Sequence, residues 1–224
     1  MATPFVAVHL EAVGSTQDEA RSRFEGRPVL VTAGHQTEGR GRSGNSWRNA
    51  DRALAASLAF APEWPRSTWP RIGLVSGLAA RDATHPSTAL KWPNDLVIGE
   101  TKVAGLLAEA SDDLVVLGMG VNLYWERPIE GAGALYPEDP GATAGLDLAV
   151  AWATSVLRRV AVGPGDWGRS DYEAACVTVG RRIVWDPGGE GVAVGIADDG
   201  GLVVDTPTGR VTIHDATVSR VRAR

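Results

Sequence analysis

At 224 residues, with 44% hydrophobic and 22% charged side chains and a net charge of −5, the chain has apolar material for a packed core, which excludes a disordered polypeptide. Its longest apolar runs, residues 54–61 and 114–121, fall well short of the roughly 20 needed to cross a bilayer, and an isoelectric point near 5.4 opposes a general nucleic-acid binder. Cys176 stands alone, which excludes an internal disulfide, and residues 1–10 lack the basic start and long apolar run of a secretory signal, so a cytoplasmic setting without membrane attachment is expected.

In chain order, residues 5–10 read as a strand and lead through Gly14, Ser15 and Thr16 into a helix over 17–24. Ser15 or Thr16 suits its N-cap, with acids in the first turn and arginines later. Residues 28–34 and 53–60 read as two further strands, and the glycine- and arginine-rich segment between them is a loop. Arg40, Arg42, Arg48 and Arg52 make that loop the concentrated cationic segment of an acidic chain, suited to a small anionic substrate. Pro70 at a first helical position opens a core-packed helix over 70–81. Residues 89–92, 95–98, 102–110 and 114–123 follow as a β-meander, turning at Gly99-Glu100 and at Ser111-Asp112-Asp113. The proline- and glycine-rich stretch 125–145 is a loop, and 146–160 and 166–177 are helices. Beyond Gly180, short β segments at 182–185, 191–197, 202–204 and 210–213 predict a small all-β barrel.

Gly39-Arg40-Gly41-Arg42-Ser43-Gly44 matches the G-x-G-x-x-G dinucleotide fingerprint literally. That fold needs a helix to open at the last glycine and cover the sheet, yet only the almost wholly polar segment 45–52 is available. A P-loop fails as well, because its phosphate-binding lysine and its helix are both missing. His9, His35, His85 and His214 have no metal-ligand spacing, no Ser/His/Asp signature is present, and Cys176 reads as a small buried hydrophobe.

Leu90-Lys91-Trp92-Pro93-Asn94-Asp95-Leu96, Lys102-Val103-Ala104-Gly105 and Gly118-Met119-Gly120-Val121-Asn122, taken with Gly14-Ser15-Thr16, Gln36, the glycine–arginine run and Trp47, resemble biotin protein ligases in order and approximate spacing. The resemblance implies an α+β fold, a mixed or antiparallel sheet backed by helices over 1–175, followed by an SH3-like β domain over 176–224. It implies joining of the biotin carboxylate to the α-phosphate of ATP, with Mg²⁺, and transfer of the acyl group to a lysine of a biotin carboxyl carrier protein. No enzyme nucleophile is needed, so catalysis is positioning and electrostatics. By this resemblance Lys102 and Arg42 are catalytic. Ser15, Thr16, Gln36, Gly39, Arg40 and Gly105 bind biotin, and Arg40, Arg42, Trp47, Lys102, Asn122 and Arg222 bind the nucleotide. Asn94 and Asp95 either place Mg²⁺ or cap a turn, and metal ligands stay unassigned; Trp92 is expected to be architectural. Asn45 stands where the family often has arginine, and Glu38 adds a negative charge beside the glycine run. Ser15 lies so near the start that no DNA-binding domain, and no DNA partner, is expected. A lipoate ligase, which shares the adenylation chemistry, is the nearest alternative; an arginine-loop module gripping nucleic acid is opposed by the acidic charge.

Overall fold

A computed structural model of the chain describes residues 3–47, 49–127, 130–186, 188–214 and 216–220. The alternating runs of the first half pair into one seven-stranded sheet. Its strands are β1 (Val6–Val13), β2 (Val29–Gln36), β3 (Arg52–Phe60), β4 (Ala89–Lys91), β5 (Asp95–Ile98), β6 (Thr101–Ser111) and β7 (Leu114–Tyr124), in the order β1-β2-β3-β7-β6-β5-β4. β1 and β2 are parallel, joined by a crossover through α1 (Thr16–Ser22), and every other neighbouring pair is antiparallel.

Strand alternation gives this sheet two different faces. Leu54 of β3 packs against Gly145 of α3 (Ala144–Val160), whereas Ser57 of the same strand meets Thr16 of α1. On the Leu54 face, α3 and α2 (Pro70–Ala83) pack against each other and the sheet, burying Val75, Leu78, Ala79, Trp152 and Val156. On the Ser57 face, Ala20 of α1 closes over Val29, Val31, Ala59 and Val116. α1 is only two turns long, so the adjoining face of β7, β6 and β5 is left for a cleft.

The last third forms a five-stranded sheet ordered β11-β10-β9-β8-β12. Its strands are β8 (Arg182–Asp186), β9 (Gly189–Ile196), β10 (Leu202–Thr206), β11 (Gly209–Ile213) and β12 (Thr217–Arg220). Ile183, Ala193, Leu202 and Val204 join the same buried cluster as α2 and α3. Trp92 makes the join: it is 2% exposed, its backbone N–H donates to Thr178 Oγ1 at 3.0 Å, and its indole N–H donates to the Gly200 carbonyl at 3.1 Å. Trp92 is therefore architectural, as expected, and Cys176 is a buried free thiol.

The α+β fold and the meander match expectation, with three local corrections. The small sheet has a fifth strand, β12, hidden in the sequence because its four residues carry a single apolar side chain, Val218, too little to show an alternation. The helix expected over 166–177 is a 3-10 turn (Pro164–Asp166) and then α4 (Arg169–Ala175), separated because Gly168 adopts a left-handed φ of 89°. Ser15 occupies the N-cap position of α1, but no side-chain cap bond forms there, and the Thr16 hydroxyl turns instead toward the sheet. Among the described residues, no helix is long and apolar enough to cross a membrane.

Candidate active site

The cleft on the Ser57 face encloses about 230 Å³. Its floor follows from register. Ala55, Gly120, Gly105 and Asp95 lie in one row across β3, β7, β6 and β5, and Ser57, Gly118 and Leu107 lie in the next. With glycine at three of these positions the floor is nearly bare backbone, and other side chains lie down in it. A Cβ on Gly120 would come within 2.6 Å of the Trp47 indole, one on Gly105 within 3.0 Å of Lys102, and one on Gly118 within 3.0 Å of Gln17.

One end of the cleft is a relay of neutral polar groups. The Thr16 backbone N–H and hydroxyl both donate to Gln36 Oε1, at 2.8 and 3.0 Å, and Ser57 Oγ lies 2.8 Å from Thr16 Oγ1. Since the single Thr16 hydroxyl proton goes to Gln36, Ser57 donates to Thr16. The relay fixes the Gln36 amide with its NH₂ still available as a donor. Gln17, 5% exposed, places a buried Nε2 beside it with no hydrogen-bond partner among the described residues. An unmatched buried donor costs roughly 1–3 kcal/mol, which marks this end as shaped for a ligand acceptor.

The other end is cationic. Lys102 Nζ lies 2.6 Å from Asp95 Oδ1 and 5.7 Å from the Trp47 ring centroid. Its strand is pinned from outside, where Lys102 N–H donates to the Gly131 carbonyl at 3.3 Å and Gly133 N–H to the Lys102 carbonyl at 2.8 Å. The same segment accepts from Asn122 Nδ2, through the Gly133 carbonyl at 3.0 Å, while Asn122 Oδ1 is buried without a partner among the described residues. Arg42 Nη1 donates to Asn94 Oδ1 at 3.4 Å, and Asn94 is itself held by two 2.8 Å bonds with the Leu106 backbone.

The glycine–arginine loop closes on itself beside the cleft. Gly41 N–H donates to the Asn45 carbonyl at 2.7 Å and Trp47 N–H to the Gly39 carbonyl at 2.8 Å. Asn45, the departure from the family pattern, donates its side-chain amide to the Arg42 carbonyl at 3.0 Å and so contributes to the turn. A Cβ on Gly39 would lie 3.1 Å from Trp47 Cβ and 3.2 Å from Gln36 Nε2, so glycine there permits the loop to sit close. Arg40 forks onto Asp18 of α1 at 2.7 and 2.8 Å, holding that carboxyl below its usual range.

Of the residues expected at the site, Thr16, Gln36, Arg40, Arg42, Trp47, Lys102 and Gly105 line this one cleft. Ser15, Gly39 and Asn122 are not among the lining residues, although Gly39 lies against Trp47 and Gln36, and Arg222 lies outside the described residues. Gln17 and Ser57 line it and were not anticipated, and Gly118, noted in the sequence only as part of the motif 118–122, lines it as well. Ser57 had a signal in the sequence, as the lone polar residue of the otherwise apolar run Ala53–Phe60. Gln17 had none, because it reads as an ordinary first-turn helix residue.

Residues 11–122 match the model of the biotin/lipoate A/B protein ligase family, and residues 186–221 match the biotin protein ligase C-terminal domain. The chain is 34% identical to a biotin–acetyl-CoA-carboxylase ligase of Mycobacterium tuberculosis, over 87% of this chain and 79% of that one. It is 30% identical to the enzyme of the same name from Paracoccus denitrificans, over 84% and 88%. The fold superposes on biotin protein ligase from Aquifex aeolicus in complex with biotin and ATP with a TM-score of 0.79, at 25% identity, covering 96% of this chain and 99% of that one. A bare-floored cleft with a neutral donor end and a cationic end, carried on this sheet and followed by this C-terminal module, belongs to a member of the biotin/lipoate A/B protein ligase family, in its biotin protein ligase branch.

Proposed function

We propose that the protein activates biotin with ATP to biotinyl-5'-AMP and then transfers the biotinyl group to a lysine of a biotin carboxyl carrier protein. In the first step the biotin carboxylate attacks the α-phosphorus and pyrophosphate leaves; in the second the lysine amine attacks the acyl carbon and AMP leaves. The observation that carries this reading is the polarity of the cleft. Neutral hydrogen-bonding groups at Thr16, Gln36 and Ser57 suit an uncharged cyclic head group, and Lys102 with Arg42 at the other end suits a carboxylate meeting a phosphate.

In this reading Ser15, Thr16, Gln36, Gly39, Arg40 and Gly105 hold biotin, Arg40 through its backbone because its guanidinium is taken up by Asp18. Trp47, Asn122, Arg42 and Arg222 hold the nucleotide, Arg40 contributing there only through its backbone, and Lys102 and Arg42 stabilise the charge that develops between the two substrates. Mg²⁺ would offset the phosphate charge of ATP, and Asn94 and Asp95 are the cleft-lining groups that would be available to it, Asp95 being paired with Lys102 in its absence. Residues 1–175 are assigned to substrate activation and 176–224 to the small β domain. A cytoplasmic setting fits the single buried free thiol.

Exchange of labelled pyrophosphate into ATP, dependent on biotin and run beside lipoate and octanoate, tests the proposal. Exchange with biotin is the expected result. Exchange with lipoate alone overturns it in favour of a lipoate ligase.

A further inference from the structure

The glycine–arginine loop is fastened down by residues outside the cleft. Arg40 donates Nη1 and Nη2 to the two oxygens of Asp18 at 2.7 and 2.8 Å, and its Nε stands 3.4 Å from Glu109 Oε1. Arg21 completes a ring, with Nη2 on Glu109 Oε2 at 2.7 Å and Nη1 on Asp18 Oδ1 at 3.4 Å. Two cations and two anions therefore alternate and cancel, and each guanidinium touches both carboxylates.

The four residues come from three places that each build the cleft. Asp18 and Arg21 sit on α1, which carries Thr16 and Gln17 inward; Glu109 sits on β6, which carries Lys102 and Gly105; and Arg40 sits in the loop that carries Arg42 and Trp47. The Arg42 contact to Asn94 is a longer tether, at 3.4 Å, than the Arg40 fork. A planar guanidinium bound bidentately to a carboxylate fixes orientation as well as distance, so the fork sets the position of the loop backbone on both sides of residue 40.

We propose that Asp18 and Glu109 are positioning residues for the reaction: through Arg40 they latch the loop across the cleft and keep the acyl-adenylate from escaping before the carrier lysine arrives. The inference rests on the ligase reading given above. It assigns the Arg40 side chain to protein rather than to nucleotide, and it places the control of intermediate retention on two carboxylates that touch no substrate. Because all four side chains are partly exposed, the latch is sensitive to ionic strength.

The test uses the full chain and the variants Asp18→Asn and Glu109→Gln. First-turnover formation of biotinyl-adenylate at saturating biotin and ATP should stay within about 1.5-fold in Asp18→Asn, while release of free biotinyl-adenylate to solvent rises about twofold to fivefold, the scale of a lost partly exposed ion pair. Glu109→Gln should show a smaller rise, since its contact to Arg40 is the longer one at 3.4 Å. Without any ligand, trypsin should cut after Arg40 or Arg42 faster in Asp18→Asn than in the unaltered chain, because cleavage follows the open population of the loop. Unchanged release and unchanged cleavage in Asp18→Asn overturn the latch while leaving the ligase reading intact. Faster loop cleavage in a protein that forms no biotinyl-adenylate supports the latch as a loop tether and overturns the reading it serves.

Discussion

Replacing Lys102 by alanine separates two free-energy scales that this site keeps apart. The ammonium lies 2.6 Å from Asp95, with 39% of the lysine side chain and 18% of the aspartate side chain exposed. A pair so open to water contributes about 0–1 kcal/mol to folding, which for a chain of this size corresponds to a melting shift of only about 2–4 °C per kcal/mol. Its contribution to the reaction is larger, because the charge it faces grows as the carboxylate attacks phosphorus. Loss of a preorganised donor at such a centre costs about 10²- to 10³-fold in rate, or roughly 2.7–4 kcal/mol. Rapid-quench measurement of the first turnover of biotinyl-adenylate, with calorimetry on the same preparation, gives both numbers. Lys102→Ala should lose about two to three orders of magnitude in the first turnover and at most a few degrees in melting temperature. A first turnover within tenfold of the unaltered protein refutes the role given to Lys102. So does a collapse in stability that accounts for the lost rate.

Gly120→Ala should destabilise by about 1–3 kcal/mol, the usual cost of overpacking, since the added carbon falls 2.6 Å from the Trp47 indole. The same change made in a Trp47→Ala background should cost much less, and equal costs in urea unfolding of the two backgrounds show that the indole does not lie on Gly120. Thr16→Val breaks the relay from Ser57 to Gln36 and should raise the biotin KM at least about tenfold, on the scale of one unsatisfied buried group, with kcat at saturating biotin nearly unchanged; an unaltered KM removes the relay from biotin recognition. The Asp18 carboxyl, faced by Arg40 and Arg21 with Glu109 beyond them, is held below the ordinary aspartate value of 3.8 chiefly by the Arg40 hydrogen bond. The folded chain thus binds this proton less tightly than the unfolded one, so the contribution to stability is complete above roughly pH 4 and is lost as pH falls through the folded-state value. An NMR titration should place the Asp18 midpoint below 3.8 and move it upward in Arg40→Ala; an unmoved midpoint refutes the pairing.

Strand alternation and helical spacing were enough to read the meander, α2 and α3 from the chain, because each of these elements buries one continuous apolar face. β12 and the break before α4 were not legible, for opposite reasons. β12 earns its place by pairing with β8, a partner more than 30 residues away, which local pattern does not report. Gly168 breaks the helix by its own backbone conformation, in a segment whose side chains otherwise suit a helix. At the site, the residues with charge or an amide in a recognisable motif were legible, and those that make room for them were read only in part. Gly118 and Gly120 look, in sequence, like weak points of a strand, yet with Gly105 they let Gln17, Lys102 and Trp47 lie flat on the sheet. Asp18 and Glu109 were illegible altogether, because each looks like an ordinary surface acid until the fold brings both to Arg40. A motif reports which groups meet the substrates, while the means of holding a cationic loop beside the cleft is distributed among unremarkable residues. Relatives that keep the glycine–arginine run but carry no acid at the positions of Asp18 and Glu109 should therefore hold their loops by other contacts, or release more of their intermediate.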